Sequence, residues 1–87
     1  MRSFTLSILA VDCPLYVGES TYVNVPMAEG SYGILAHHCN TIAALVPGMV
    51  EFTDSEGNRR KAKISDGMIK IENNDVLLLA ASAEYIE

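Results

Sequence analysis

The clearest structural signals of this chain lie in two neighbouring segments, Glu29-Gly30-Ser31-Tyr32-Gly33-Ile34-Leu35-Ala36-His37-His38 and Leu45-Val46-Pro47-Gly48. The glycine pair of the first segment predicts a tight loop ahead of the short apolar strand Ile34-Leu35, because glycine enters turns at little steric cost. The second segment ends in a turn signal, since proline fixes the first central residue and glycine supplies a positive φ. Two punctuated turns this close together are typical of short β-strands.

The same pattern extends to both sides of this region. Phe4 to Leu9 and Ser20 to Val25 alternate with a period of two, and Pro26 is expected to end the second run. Met49 to Thr53 and Arg60 to Ser65 flank a loop that contains glycine, which predicts a hairpin. Because turn signals recur about every 8–12 residues and no long helical period occurs, the sequence predicts an all-β, two-sheet β-sandwich or flattened barrel.

Two segments do not fit this pattern clearly. Thr41 to Val46 is apolar but too short for periodicity to separate a helical turn from a strand. The Ala-rich end from Ala80 onward has a composition that favours helix formation. Elsewhere, period-two alternation predicts the following buried residues: Phe4, Leu6, Ile8, Val23, Val25, Ile64, Ile69, Ile71, Leu77 and Leu79.

Length and charge restrict the class of protein. The 87 residues predict one domain over residues 1–87. A net charge of −5 disfavours a nucleic-acid binder, which needs a clustered positive surface. Lys61 and Lys63 should share one face of a strand and Ala62 and Ile64 the other, so the basic cluster around them is expected to keep an exposed strand soluble.

Cysteine use and hydropathy indicate the cellular compartment in which the chain is expected. Cys13 and Cys39 lack the spacing of a disulfide framework, and no secretory leader is recognisable. The longest unbroken apolar runs fall far short of the roughly 20 residues of a membrane-spanning helix. We therefore expect a soluble, cytosolic chain with reduced thiols, which reaches a membrane only through a partner protein.

The cluster His37-His38-Cys39, together with Cys13, is the feature that invites a metal or thiol hypothesis. Zinc sites use four converging ligands, whereas neighbouring residues of an extended segment point to alternating sides. A Cys-His nucleophile pair also needs an orienting third group, and the acidic residues are scattered singly. The sequence therefore predicts no catalytic residue, no metal and no cofactor, with a small β-barrel metal or thiol protein as the alternative.

Nearly the whole chain resembles the N-terminal domain of the epsilon subunit of F-type ATP synthases. Besides the two segments quoted first, the resemblance is carried in order by Leu6-Ser7-Ile8-Leu9, Tyr16-Val17-Gly18, Val23-Asn24-Val25-Pro26, Ile64-Ser65-Asp66-Gly67-Met68-Ile69-Lys70-Ile71 and Val76-Leu77-Leu78-Leu79-Ala80-Ala81-Ser82-Ala83-Glu84. The chain departs from the family pattern at Cys39-Asn40, at Ser65-Asp66-Gly67-Met68 and at Tyr32, where the family usually has leucine.

The resemblance implies a ten-stranded sandwich that serves as a non-catalytic rotor subunit at the cytoplasmic face of the cell membrane. In that family one face packs on the gamma subunit, and one end sits on the polar loops of the c ring. Carried over by position, the gamma contacts are Ala10, His38, Thr41, Ile42 and Ala43, and the c-ring contacts are Glu29, Gly30, Ser31 and Tyr32. Rotation of the ring, driven by protons or sodium ions, would pass through gamma to the catalytic head.

The resemblance also sets the alternatives. Family members continue into a C-terminal helical hairpin, which we expect to be absent from these 87 residues, so restraint of rotation and ATP binding by that hairpin are not assigned. A generic β interaction module with another partner is the remaining alternative, and the coupling ion is left open.

Overall fold

The computed structural model describes residues 2–11 and 13–86, which form ten β-strands and, over those residues, no helix. The strands are β1 Phe4–Ala10, β2 Pro14–Ser20, β3 Val23–Met27, β4 Gly30–Ile34, β5 Thr41–Leu45, β6 Gly48–Thr53, β7 Arg59–Ile64, β8 Gly67–Glu72, β9 Asp75–Ala80 and β10 Ala83–Tyr85. The structure confirms the all-β fold and shows that the undecided segment after Asn40 is a strand. In the described part of the chain there is no helix long and apolar enough to cross a membrane.

The strands make two five-stranded sheets that pack face to face. The first, sheet A, has the order β2-β1-β9-β8-β5, and the second, sheet B, has the order β10-β7-β6-β3-β4. Neighbouring strands are antiparallel except β1 and β9, which run parallel and pair Leu6 with Val76 and Ile8 with Leu78. The confirmed architecture is therefore a β-sandwich with one parallel pair at the centre of sheet A.

The hydrophobic core fills the space between the sheets. Eight of the ten residues predicted to be inside are buried, namely Phe4, Leu6, Ile8, Val23, Val25, Ile64, Ile69 and Ile71. The assignment for β9 was wrong: Leu77 is only half-buried and Leu79 is 39% exposed, whereas Val76, Leu78 and Ala80 face the core. The run Val76 to Leu79 is apolar at every position, so its faces are decided by the pairing with β1 and not by alternation.

Two local expectations also need correction. Gly30 to Ile34 is a strand, not a loop; the turn precedes it at Ala28-Glu29, and Gly30 has a φ of 128°, a region that favours glycine. Pro26 lies inside β3, where it pairs with Ser31 of β4, while the pairing with β6 is limited to Val23 and Asn24. A proline can lie there because no ladder bond to β6 is needed from its nitrogen.

The chain end departs from the helical composition of its sequence. Ala83 to Tyr85 form β10, which pairs with β7. Tyr85 fixes this strand, because its hydroxyl donates to the carbonyl of Leu15 at 2.9 Å and its ring lies 4.4 Å from the Arg60 guanidinium carbon. Tertiary contacts thus override a weak local propensity.

The two long sides of the sandwich, where the sheet edges meet, differ. At the closed seam, between β2 and β10, the Tyr85–Leu15 hydrogen bond joins the sheets and Phe52 packs on Tyr16 at 4.9 Å between ring centres. Burial raises the pKa of the Tyr16 hydroxyl, which donates to the Glu19 carbonyl at 2.7 Å. At the open seam, between β4 and β5, a groove separates the two edges.

Candidate interaction surfaces

The residues expected at the c ring all lie on the hairpin of β3 and β4. Met27 pairs with Gly30 across the Ala28-Glu29 turn, and the four residues from Glu29 to Tyr32 are exposed. The same end of the sandwich carries the turn between β5 and β6, where the Val46 amide donates to the Pro26 carbonyl at 3.1 Å. We call it the hairpin end; the structure brings all four residues together there.

The residues expected at gamma are not all on one surface. Thr41, Ile42 and Ala43 lie on β5, where Thr41 and Ala43 line the groove and Ile42 points to the outside of sheet A with 68% exposure. His38 lies in the connection that precedes β5. Ala10 ends β1, and β9 and β8 separate it from β5. The structure thus groups four of these residues around one sheet edge and places Ala10 apart from them.

The groove of the open seam joins the two expected surfaces. It has a volume of about 270 Å³ and is lined by the hairpin residues Met27, Glu29, Gly30, Ser31, Tyr32 and Ile34, and by Thr41, Ala43, Ile69 and Ile71 of sheet A. Because expected c-ring residues form one wall and expected gamma residues form the other, a segment bound in this groove would touch both sets.

A hydrogen bond crosses from the hairpin to the connection before β5. The Tyr32 hydroxyl lies 2.8 Å from Nε2 of His38, and Nδ1 of His38 lies 2.9 Å from the Cys39 carbonyl oxygen. A carbonyl oxygen only accepts, so the bond to Cys39 requires a proton on Nδ1, and in the neutral imidazole Nε2 then accepts from the tyrosine. Two further side-chain bonds tie this connection to sheet A, since Asn74 accepts from the His37 amide at 2.7 Å and Asn40 accepts from the Asn73 amide at 3.2 Å.

The outer faces of the two sheets differ in polarity. On sheet A the exposed side chains include Val17, Ile42, Met68 and Leu79, which we call the apolar face. Pairing places Leu79 beside Met68 and Met68 beside Ala44, so part of this face forms a continuous row across three strands. Single exposed apolar residues are ordinary, whereas large contiguous apolar patches are typical of interaction sites.

Sheet B presents a charged outer face. Lys61 and Lys63 of β7 are exposed while Ala62 and Ile64 are buried, as alternation predicted. Glu51 lies across from Lys61, with 3.9 Å between the charged groups, and Glu84 pairs with Lys63 in the β7–β10 ladder. Met49 is the large apolar side chain exposed among them. Opposite charges on adjacent strands make this a solvated surface, as we expected for the basic cluster.

Sequence reasoning missed the apolar face apart from Ile42. Leu79 was assigned to the core, and Val17 and Met68 had no assigned role. The unbroken apolar run of β9 could have indicated this face in the sequence. A strand that is apolar on both faces is covered on both faces in many proteins. On β9 the inner face is covered by sheet B, whereas Leu79 on its outer face is exposed in the isolated chain.

The histidines and cysteines do not assemble a chemical site. Cys39 is exposed, and its sulfur lies 3.9 Å from Nδ1 of His38, which is directed at a carbonyl oxygen. Cys13 follows β1 at the hairpin end, whereas Cys39 lies near the Asn73-Asn74 turn at the other end. Over residues 2–11 and 13–86, no group of three or more His, Cys, Asp or Glu side chains is placed to hold a metal ion. The metal or thiol alternative therefore gains no support.

Known sequences and structures show what the chain is similar to. Residues 3–86 match the model of the family described as "ATP synthase, Delta/Epsilon chain, beta-sandwich domain". The "ATP synthase epsilon chain" of Helicobacter hepaticus is 37% identical over 86 residues, which are 99% of this chain and 66% of that protein. The "ATP synthase epsilon chain" of Clostridium botulinum is 35% identical over 83 residues, which are 95% of this chain and 62% of that protein.

A solved structure agrees with this similarity. A chain of the Euglena gracilis mitochondrial ATP synthase, in a structure described as OSCP/F1/c-ring, superimposes with a TM-score of 0.89 at 23% identity, over 98% of this chain and 54% of that one. At this identity the likeness shows the fold. The chain spans about two thirds of the length of the bacterial relatives. With the family match over residues 3–86, these findings show that the chain belongs to the family of ATP synthase delta/epsilon-chain β-sandwich domains.

Proposed function

We propose that this chain is a non-catalytic central-stalk element of a rotary ATP synthase, bound to gamma through sheet A and to the c ring through the hairpin end. The observation that supports it most is the apolar face, which gives one side of a family-typical sandwich the composition of an interface. As part of the enzyme it would lie at the cytoplasmic face of the membrane and help to couple ion translocation to ATP synthesis.

The gamma contact is assigned to β5 and the apolar face beside it. Ile42 is the most exposed large side chain of that strand, and its neighbour in the sheet is Lys70, which pairs with Glu72 at 3.1 Å. Among the residues carried over from the resemblance, Thr41, Ala43 and His38 adjoin this surface. Ala10 lies three strands away in sheet A, so it contacts gamma only if the interface crosses the whole face.

The c-ring contact is assigned to Glu29, Gly30, Ser31 and Tyr32. Glu29 is the acidic residue of this hairpin tip, and an exposed ion pair contributes at most about 1 kcal/mol. Tyr32 adds an aromatic ring with a hydroxyl, which suits a hydrated interface. Shape and attachment through gamma are therefore expected to hold this end more than a salt bridge does.

A matched pair of variants tests the gamma contact. Ile42→Lys places a charge on the outer face of sheet A, and Met49→Lys places the same charge on the outer face of sheet B. We expect Ile42→Lys to weaken binding to the gamma subunit of the same organism at least about tenfold, or about 1.4 kcal/mol. Met49→Lys should bind as the parent does. Equal affinities for both variants would overturn the assignment to sheet A.

Cross-linking tests the ring contact. In a variant with serine at both native cysteine positions, Ser31→Cys lies at the hairpin end and Ser55→Cys lies on the exposed β6–β7 loop at the opposite end. Ser31→Cys should form a disulfide with a cysteine placed in the polar loop of the c ring, in the assembled enzyme. Cross-linking from Ser55→Cys alone would mean that the domain stands in the opposite orientation.

A further inference from the structure

We infer that the open seam binds one extended peptide strand, which pairs with the free edge of β5 and inserts alternate side chains into the groove, and that gamma supplies this strand. The identity of the partner rests on the proposed function. The mode of binding rests on the structure alone.

The two seams differ in how their strand edges are protected. At the closed seam, β2 contains Pro14 and Glu19 and its pairing with β1 shifts at Ile8/Leu9, while β10 has three residues, one of them Glu84. Proline, charge, irregular pairing and short length are the usual means by which proteins protect free edges. The edges β4 and β5, with the sequences GSYGI and TIAAL, contain no charge and no proline. Edges without such protection are expected to be covered in the assembled protein.

The chemistry of a free edge specifies what covers it. A strand at the end of a sheet points a row of amide and carbonyl groups away from its single neighbour, and β5 has β8 as its single neighbour in sheet A. Another extended strand satisfies these groups in series while its side chains fill adjacent pockets. A peptide strand is thus a better occupant than a helix or a small molecule.

The groove supplies the side-chain pockets. Its lining is mainly apolar, through Met27, Tyr32, Ile34, Ile69 and Ile71. A volume of about 270 Å³ lies below the roughly 300–1,000 Å³ of sites for drug-sized ligands, and it suits a few apolar side chains. Glu29 is the charged residue of the lining, so a basic residue of the bound strand is expected at the hairpin end.

β5 is the better of the two edges for pairing. Ile42 and Ala44 point to the outside of sheet A, and Ala44 pairs with Met68 in the apolar row. A strand added beside β5 would therefore contact apolar surface on both of its faces. The groove lies on its inner side, and the apolar face continues on its outer side. The outward residues of β4 at the equivalent face are Ser31 and Gly33, which offer little apolar area.

Hydrogen–deuterium exchange on the complete complex of this chain with the gamma subunit tests the pairing. Strand addition should protect alternate amides of β5 by at least about tenfold relative to the free chain, with little change in β2 at the closed seam. If gamma binds but protects none of the amides of β5, the strand inference is overturned and the proposed function stands. If gamma does not bind, the proposed function fails. Protection that rises with the concentration of the isolated chain would make a second copy the occupant and overturn the assignment to gamma.

A matched pair of edge variants gives a second test. Ala43→Lys and Ala83→Lys each introduce a charge at a half-buried alanine that packs against the core from an edge strand, one at the open seam and one at the closed seam. An inward-pointing lysine blocks strand addition. Ala43→Lys should lower gamma affinity about tenfold or more, and Ala83→Lys less than about twofold. Equal affinities of two folded variants would contradict the inference, and should Ala43→Lys fail to fold, the exchange pattern of the parent chain decides it.

Discussion

Substituting two adjacent leucines of β9 with alanine should have very different consequences, because the strand places them on opposite faces. Leu78 is completely buried between the sheets, whereas Leu79 lies on the apolar face with 39% of its surface exposed. Leu78 pairs with Ile8 on one side and with Ile69 on the other, so its side chain sits at the centre of the core.

The expected magnitudes follow from burial. Leu78→Ala removes three buried carbon atoms, worth about 0.8 kcal/mol each, and leaves a cavity that the neighbouring strands refill only partly. We expect the free energy of unfolding to fall by about 3–4 kcal/mol. Leu79→Ala should lower it by less than about 1.5 kcal/mol, because that side chain already keeps much of its contact with water in the folded state.

Urea unfolding followed by far-ultraviolet circular dichroism measures both changes. For a domain of this size, each 1 kcal/mol lowers Tm by about 4–8 °C, so thermal scans should separate the two variants clearly. If Leu79→Ala destabilises the chain as much as Leu78→Ala does, the register of β9 against β1 is wrong, and with it the apolar face.

Three further predictions concern stability. Gly67→Ala should destabilise the chain by about 2 kcal/mol or more in urea unfolding, since its Cβ would clash with the Leu79 carbonyl oxygen, whereas Gly33→Ala, whose Cβ would meet the Tyr22 ring at 3.2 Å, should cost less. Tyr85→Phe removes the hydroxyl that joins the sheets at the closed seam and should cost about 0.5–1.5 kcal/mol; no change in Tm would mean that this bond contributes nothing. The Asn58 amide, followed by that of Glu56, holds the pKa of the Asp54 carboxyl below its ordinary value of 3.8, so its contribution is complete above that pH and lost as pH falls through the lowered pKa. The stability difference between the parent chain and Asp54→Ala should shrink in acid titrations below pH 3.8.

Much of the fold follows from alternation and turn chemistry, and the exceptions have physical causes. Phe4, Leu6 and Ile8 were placed correctly because polar residues separate them along most of the strand. Period-two reasoning fails in β9, where every residue from Val76 to Leu79 is apolar. It also gives no account of β10, which exists because Tyr85 finds partners on β2 and β7.

The candidate surfaces are harder to predict from the sequence than the fold is. The residues from Glu29 to Tyr32 are adjacent in the chain, so their common location followed from the hairpin. The groove could not be predicted, because it arises where β4 and β5, from different sheets, lie side by side without pairing. The apolar face was hidden for a similar reason, since its residues come from separate strands of sheet A.

Co-purification of this chain with the gamma subunit of its own organism decides whether the two proteins form a complex. Both proteins would be co-expressed, with a tag on gamma alone, and the complex would be examined by size-exclusion chromatography with light scattering. We expect a stable complex of one copy each that persists through the column, and the Ile42→Lys variant should be lost from it. Elution of the folded chain apart from gamma, at concentrations well above micromolar, would refute the proposed binding to gamma.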